Sequence, residues 1–153
     1  PGAVESLGKL TGAGYKIVII SNQAGIGDGA YPEDALNQIT YKMVSELKRN
    51  SVDVKGVYYC LHGKDAGCEC RKPKPGLFDQ VAQEIQFDPS KTYFVGDKAT
   101  DVEAGKRFGL KTIFVLTGHG TIDQSKLVDG LTPNQILPSM KEVADYILSK
   151  DVF

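Results

Sequence analysis

The residues of this sequence best suited to chemistry are crowded into one stretch. Cys60 and His62 are followed by Cys68 and Cys70, and then at once by Arg71 and Lys72. These are the three cysteines of the 153-residue chain, and one of its two histidines stands among them. Three thiols and an imidazole make a soft sulfur-and-nitrogen donor set of the kind that tetrahedral zinc takes. A site that uses all four donors leaves no open position for water. Its expected role is therefore structural: it fixes the 60–70 loop and, with it, the two cations that follow. The alternative is three unconnected buried thiols and a surface imidazole, which the confinement of every cysteine to one segment argues against. The spacing departs from paired Cys-x-x-Cys ribbons, so the metal is inferred from ligand type and number.

Three further groups are suited to binding a phosphate or a hard cation. An apolar run, Ile17 to Ile20, leads into Ser21, Asn22 and Gln23 and then a glycine-rich segment through Gly29. A hydroxyl and free backbone N–H groups after a strand can donate to phosphate oxygens, although a flexible turn reads the same way. Arg71 and Lys72 are braced by Pro73 and Pro75. They suit an anion clamp, arginine forking onto two oxygens, or else form a solvated charge run. The third group is Asp97, Lys98 and Asp101 after the run Tyr93 to Val95. Carboxylates at that spacing can face one side and offer hard oxygens to Mg²⁺, or either can cap the following helix. His119, between Gly118 and Gly120, has no partner visible in the sequence and reads as a surface turn residue.

The elements that would carry these groups alternate. Short β-rich runs at 16–21, 56–59, 92–95 and 111–116 are separated by amphipathic stretches, the pattern of a parallel sheet covered on both faces. The lack of alternation in Ile17 to Ile20 is that of a strand buried on both sides. Leu36, Ile39, Met43, Val44 and Leu47 recur at helical spacing behind Pro32, Glu33 and Asp34, which suit a first turn. Leu77, Val81 and Ile85 follow Pro75, a short helix around Val102 and Phe108 closes at Gly109, and Met140 to Leu148 forms a last helix after Pro138. The expectation is one α/β domain over residues 1–153, with polar residues at the carboxyl ends of its strands, where open α/β sheets bind ligands.

Composition narrows the classes of function. The formal net charge is -1 with no long basic run, which argues against nucleic-acid binding. No stretch reaches the length of a membrane span. An odd number of cysteines clustered as ligands suits a reducing cytoplasm better than a disulfide framework.

Taken together, Ser21 at a strand end, Lys72, and Gly96-Asp97 with Asp101 four residues on resemble the second, third and fourth motifs of the haloacid dehalogenase superfamily of phosphohydrolases. Within it, Ser21-Asn22-Gln23-Ala24-Gly25, the Cys60–Cys70 loop, Arg71-Lys72-Pro73-Lys74-Pro75-Gly76 and Val95-Gly96-Asp97-Lys98 resemble the heptose bisphosphate phosphatases over most of the chain. Histidinol-phosphate phosphatase domains share the zinc loop and rank second. The resemblance implies a Rossmann-like three-layer fold and hydrolysis of a sugar phosphate through an aspartyl-phosphate. Ser21 and Lys72 would hold and neutralise the transferring phosphoryl group, Arg71 and the Asn22-Gln23 loop would contact substrate, and Asp97 would bind Mg²⁺, with Lys98 and Asp101 in supporting places. Zn²⁺ would be the second metal, the partner a small phosphorylated sugar, and the complete protein a monomer.

The resemblance fails at one point. The superfamily's first motif, Asp-x-Asp-Gly-Thr, supplies the nucleophile, and no such sequence occurs in the chain. Its strand lies centrally in the sheet, between the strands ending at Ser21 and Asp97. The expectation is therefore a fold truncated at the N-terminus, with that central strand missing, and a chain inactive as it stands. A different class of function, a non-catalytic phosphate-binding module, is the competing reading. Asp28 also stands where the family often has arginine, which puts the substrate in question.

Overall fold

The computed structural model describes residues 2–22, 29, 31–60, 76–127 and 131–150. Five strands and six helices follow in the order α1 (Ala3–Gly12), β1 (Ile17–Asn22), α2 (Glu33–Arg49), β2 (Val54–Cys60), α3 (Gly76–Glu84), β3 (Tyr93–Gly96), α4 (Ala99–Phe108), β4 (Lys111–Val115), α5 (Gly120–Asp123), β5 (Gln135–Leu137) and α6 (Met140–Lys150) among the described residues. Every strand pair is parallel. The strands form two sheets, β1-β2 and β3-β4-β5, and no ladder joins β1 to β3.

Helix ends follow local chemistry. Pro32, in extended conformation, precedes Glu33 and Asp34 in the first turn of α2, and Lys48 and Arg49 occupy its last turn. Both charge pairs oppose the helix dipole, each worth about 0.3–1 kcal/mol when exposed. The helix closes as Ser51 takes a left-handed φ of 65° and Val52 N–H donates to Leu47 O at 2.9 Å. Only Leu36 and Leu47 of its apolar stripe are buried, and Ile39 stands out to solvent. Helix α4 ends as expected at Gly109, with φ 87°, and Leu110 N–H returns to Gly105 O at 2.9 Å.

The layers are set by β4, whose residues 112–115 are all buried. Ile113 and Val115 pack with Leu10 of α1 and with Val143, Ala144 and Ile147 of α6. Thr112 faces the other way, its Cγ2 within 2.5 Å of where a Cβ on Gly105 of α4 would stand. On that second face Phe78 of α3, Ala104 of α4 and Leu110 form a cluster with Phe94 of β3. Phe78 meets Phe94 edge-on, with ring centroids 4.8 Å apart; such pairs add about 0.5–1.5 kcal/mol beyond area burial. Helices thus cover both faces of a parallel sheet, the α/β architecture expected. The two sheets adjoin through side chains: Ile17 of β1 packs in the cluster holding Tyr93 and Val95, and Ile20 in that of Phe94.

Strand β1 departs from the expectation of two-sided burial. Ile17 to Ile20 are each only half-buried, because among the described residues β1 has a ladder partner on one side alone. Two elements, α1 and β5, carried no clear sequence signal. Helix α1 runs through Gly8 and Gly12, poor helix formers, and β5 is three residues long with Ile136 exposed.

Candidate functional site

The parallel register of β1 and β2 brings two of the sequence's chemical groups to one strand end. Ser21 lies opposite Tyr59, and Asn22 opposite Cys60. The last residue of β2 is therefore the first of the proposed zinc ligands, beside the start of the glycine-rich loop. Cys60 is fully buried against Leu77, with Ile20 and Tyr58 around it. Thr40 of α2 reaches the same end, its hydroxyl 2.7 Å from the Tyr59 hydroxyl. Gln23, Asp28, His62, Cys68, Cys70, Arg71 and Lys72 lie outside the described residues. Thiolate and imidazole donors fit zinc by their chemistry. Among the described residues no three His, Cys, Asp or Glu side chains gather as a metal site.

The other group is built on β3 and β4. Asp97 follows the last residue of β3, and its side chain is partly exposed. Its Oδ2 accepts the backbone N–H of His119 at 2.9 Å and lies 3.3 Å from that residue's Nδ1. A hard carboxylate oxygen at a strand's carboxyl end fits Mg²⁺, which takes few protein ligands and fills its shell with water and phosphate. Lys98 is exposed and sits at the N-cap of α4, with its own N–H donated to Asp101 Oδ2 at 3.2 Å. Asp101 is buried under that turn. A Cβ on Gly96 would stand 2.3 Å from its Oδ2, so glycine is required there for the carboxylate to fit. Of the two alternatives open for Asp101, helix capping describes its geometry. Unlike the partly exposed Asp97, Asp101 is buried.

Sequence reasoning passed over the segment that holds this turn. His119 is an exposed turn residue as expected, but it has a partner, Asp97. Asp123, one of four buried polar residues among those described, accepts the N–H of Ala99 on Oδ2 at 2.6 Å and faces Lys126 Nζ from Oδ1 at 3.0 Å. The Ala99 N–H chiefly holds its carboxyl below the usual carboxylate range. Burial pulls the other way, and the cations of Lys126 and Lys98 add to the lowering. The one available signal was the pair of glycines around His119. Gly118 has φ 61°, and its Cβ would meet Asp97 Oδ2 at 2.4 Å; that of Gly120 would meet Val115 O at 2.0 Å.

A parallel α/β fold with an aspartate directly after the carboxyl end of a strand defines a class, and comparison with known proteins agrees. A family model described as HAD-hydrolase-like matches residues 69–143. The D-glycero-β-D-manno-heptose-1,7-bisphosphate 7-phosphatase of Pasteurella multocida is 39% identical over 132 residues, 82% of this chain and 72% of that protein. The enzyme of the same name from Vibrio cholerae is 33% identical over 155 residues, 96% of this chain and 81% of its own. Among solved structures, the D,D-heptose 1,7-bisphosphate phosphatase of Bordetella bronchiseptica, complexed with magnesium and phosphate, superposes with a TM-score of 0.91 at 30% identity, over 98% of this chain and 83% of that one. The corresponding Burkholderia thailandensis structure gives 0.74 at 27% identity, over 97% and 85%. The chain belongs to the heptose-1,7-bisphosphate 7-phosphatase family of HAD-like hydrolases.

Proposed function

We propose that this chain carries the phosphate-holding and magnesium-side residues of a phosphatase acting on the 7-phosphate of D-glycero-D-manno-heptose 1,7-bisphosphate. The observation that carries the reading is its likeness, over nearly its whole length, to a phosphatase solved with magnesium and phosphate. In this reading the hydroxyl of Ser21 donates to a phosphoryl oxygen, and Lys72 neutralises the charge that builds as the group transfers. Arg71 and the Asn22-Gln23 loop orient the sugar phosphate. Asp97 offers Mg²⁺ an oxygen, and the ion, when bound, would supply further charge neutralisation at the phosphoryl oxygens. Positioning and neutralisation of this kind are most of what phosphoryl transfer requires of a protein. Lys98, exposed at the same turn, adds positive potential. Cys60, His62, Cys68 and Cys70 would hold a structural Zn²⁺ that fixes Arg71 and Lys72, a role suited to a reducing compartment such as the cytoplasm. Protein purified without chelator is expected to contain about one zinc per chain by elemental analysis.

The nucleophile is not among these 153 residues, since no Asp-x-Asp-Gly-Thr occurs. Ser21 has no adjacent histidine in the sequence to act as its base, and the thiols are assigned to zinc. The expected result is that the chain alone releases no phosphate from heptose 1,7-bisphosphate. A version joined to a segment bearing Asp-x-Asp-Gly-Thr should do so with Mg²⁺ dependence. A phosphate-release assay on both, with each anomer, is the test. Turnover by the chain alone would show the nucleophile misplaced. Silence from the joined version, with phosphate still bound, would favour a binding module.

A further inference from the structure

We infer that Asp123 is a positioning residue for Asp97, acting through a reciprocal clasp between the turn after β3 and the 118–123 segment after β4. The inference rests on the reading of Asp97 as a magnesium ligand.

The clasp consists of two hydrogen bonds of opposite sense. Asp97 Oδ2 accepts from the His119 N–H across 22 residues, and Asp123 Oδ2 accepts from the Ala99 N–H across 24. Each segment thus gives the other one carboxylate and one amide. The 97–99 turn is held at every residue: Asp97 by its side chain, Lys98 through its N–H to Asp101, and Ala99 through its N–H to Asp123. Asp123 is 8% exposed, and Lys126 stands beside its second oxygen. A buried carboxylate is costly unless it is bonded in this way. Ala99 opens α4, where backbone N–H groups have no partner within the helix, so Asp123 fills from a distance the place a local cap would take. Gly118 and Gly120 admit the segment at contact distance, since a Cβ at either would strike Asp97 Oδ2 or Val115 O.

Magnesium tolerates little departure from octahedral geometry, so a carboxylate free to turn about its side-chain bonds is a poorer ligand than one already aimed. The described contacts of Asp97 all fall on Oδ2, which fixes the plane of the carboxylate. His119 supplies that contact, and Asp123 keeps the backbone carrying Asp97 at the distance the contact requires. Side chains on rigid, cross-braced turns hold catalytic geometry better than those on free loops.

The test uses the 153-residue chain, with amide hydrogen exchange followed by NMR and Mn²⁺ as the probe metal in the presence of inorganic phosphate. Asp123→Ala should speed exchange at the Ala99 and His119 amides about tenfold or more, with the amides of α6 unchanged. It should also raise, several-fold, the Mn²⁺ concentration that broadens the resonances around Asp97. Asp123→Asn, which keeps an acceptor for Ala99, should restore both to near wild-type values. Gly118→Ala, which displaces Asp97 Oδ2 while leaving Asp123 in place, should raise the Mn²⁺ midpoint by a similar factor and remains informative if Asp123→Ala does not fold. Unchanged exchange or an unchanged Mn²⁺ midpoint in folded Asp123→Ala, or an unchanged midpoint in Gly118→Ala, overturns the clasp. Absence of broadening at Asp97 in the wild-type chain overturns instead the metal assignment beneath it, a result that exchange rates alone would not produce.

Discussion

Strands β1 and β4 are nearly alike as sequences and unlike as parts of the molecule. Ile17 to Ile20 and Ile113 to Val115 are both short, largely β-branched apolar runs without alternation. In β4 every one of them is buried, with Phe114 at 0% exposure and Ile113 at 1%, because the strand has a ladder on each side and helices over both faces. In β1 all are half-buried, because β2 is the strand's one ladder partner among the described residues. An apolar run therefore reports what a strand is suited to, and its neighbours decide how much of that burial is realised. The candidate site divides along the same line. The group after β3 and β4 is cross-braced by side chains far apart in sequence, whereas strand register is what brings together Ser21 and Cys60, the described residues of the group after β1 and β2.

Truncation separates the two strands most sharply. Phe114→Ala should cost about 3–5 kcal/mol, and Ile19→Ala in β1 about 1–2 kcal/mol, since its side chain is only partly buried. Urea unfolding of both variants measures the difference; equal costs would mean that β1 is covered in solution by something beyond β2.

Overpacking sharpens the same contrast on a smaller scale. A methyl on Gly105 meets Thr112 Cγ2 at 2.5 Å in a fully buried layer, so Gly105→Ala should cost about 1–3 kcal/mol. A methyl on Gly56 of β2 meets the ring tip of Tyr58 at 2.7 Å, a contact with the far end of one partly buried side chain and not with a fully buried layer. Gly56→Ala should then cost less than about 1 kcal/mol, offset by the lower entropy loss of alanine in a strand.

The smallest expected effect depends on pH. The carboxyl of Asp123 titrates below its ordinary value because it accepts from Ala99 and faces Lys126 and Lys98, against the effect of burial. The unfolded chain therefore binds a proton here before the folded one does, and stability from this group rises with pH across the interval between the two values. Unfolding free energies of wild type and Asp123→Asn should differ by a constant amount above about pH 5 and converge as pH falls below the ordinary aspartate value of about 3.9. A gap that widens in acid would place the folded pKa above the unfolded one and contradict the geometry.

What the sequence determined by itself is the part written in local chemistry. The β-rich runs and helical stripes, the closure of α4 at Gly109, the polar ends of the strands, and the donor types of the Cys60, Ser21 and Asp97 groups all follow from residue type at short spacing. So does the family, because the motifs that carry the resemblance are short residue strings at strand ends. Tertiary structure alone decided that β1 is half-covered, that Ile39 faces solvent, that Asp101 caps α4, and that His119 and Asp123 reach back to Asp97 and Ala99. Each of these depends on which elements lie side by side, and a contact spanning some twenty residues leaves no periodicity to read. A histidine in a turn and an aspartate on a short helix look like surface residues until the register of β3 and β4 brings the His119 backbone and the Asp123 carboxylate within hydrogen-bonding distance of another loop.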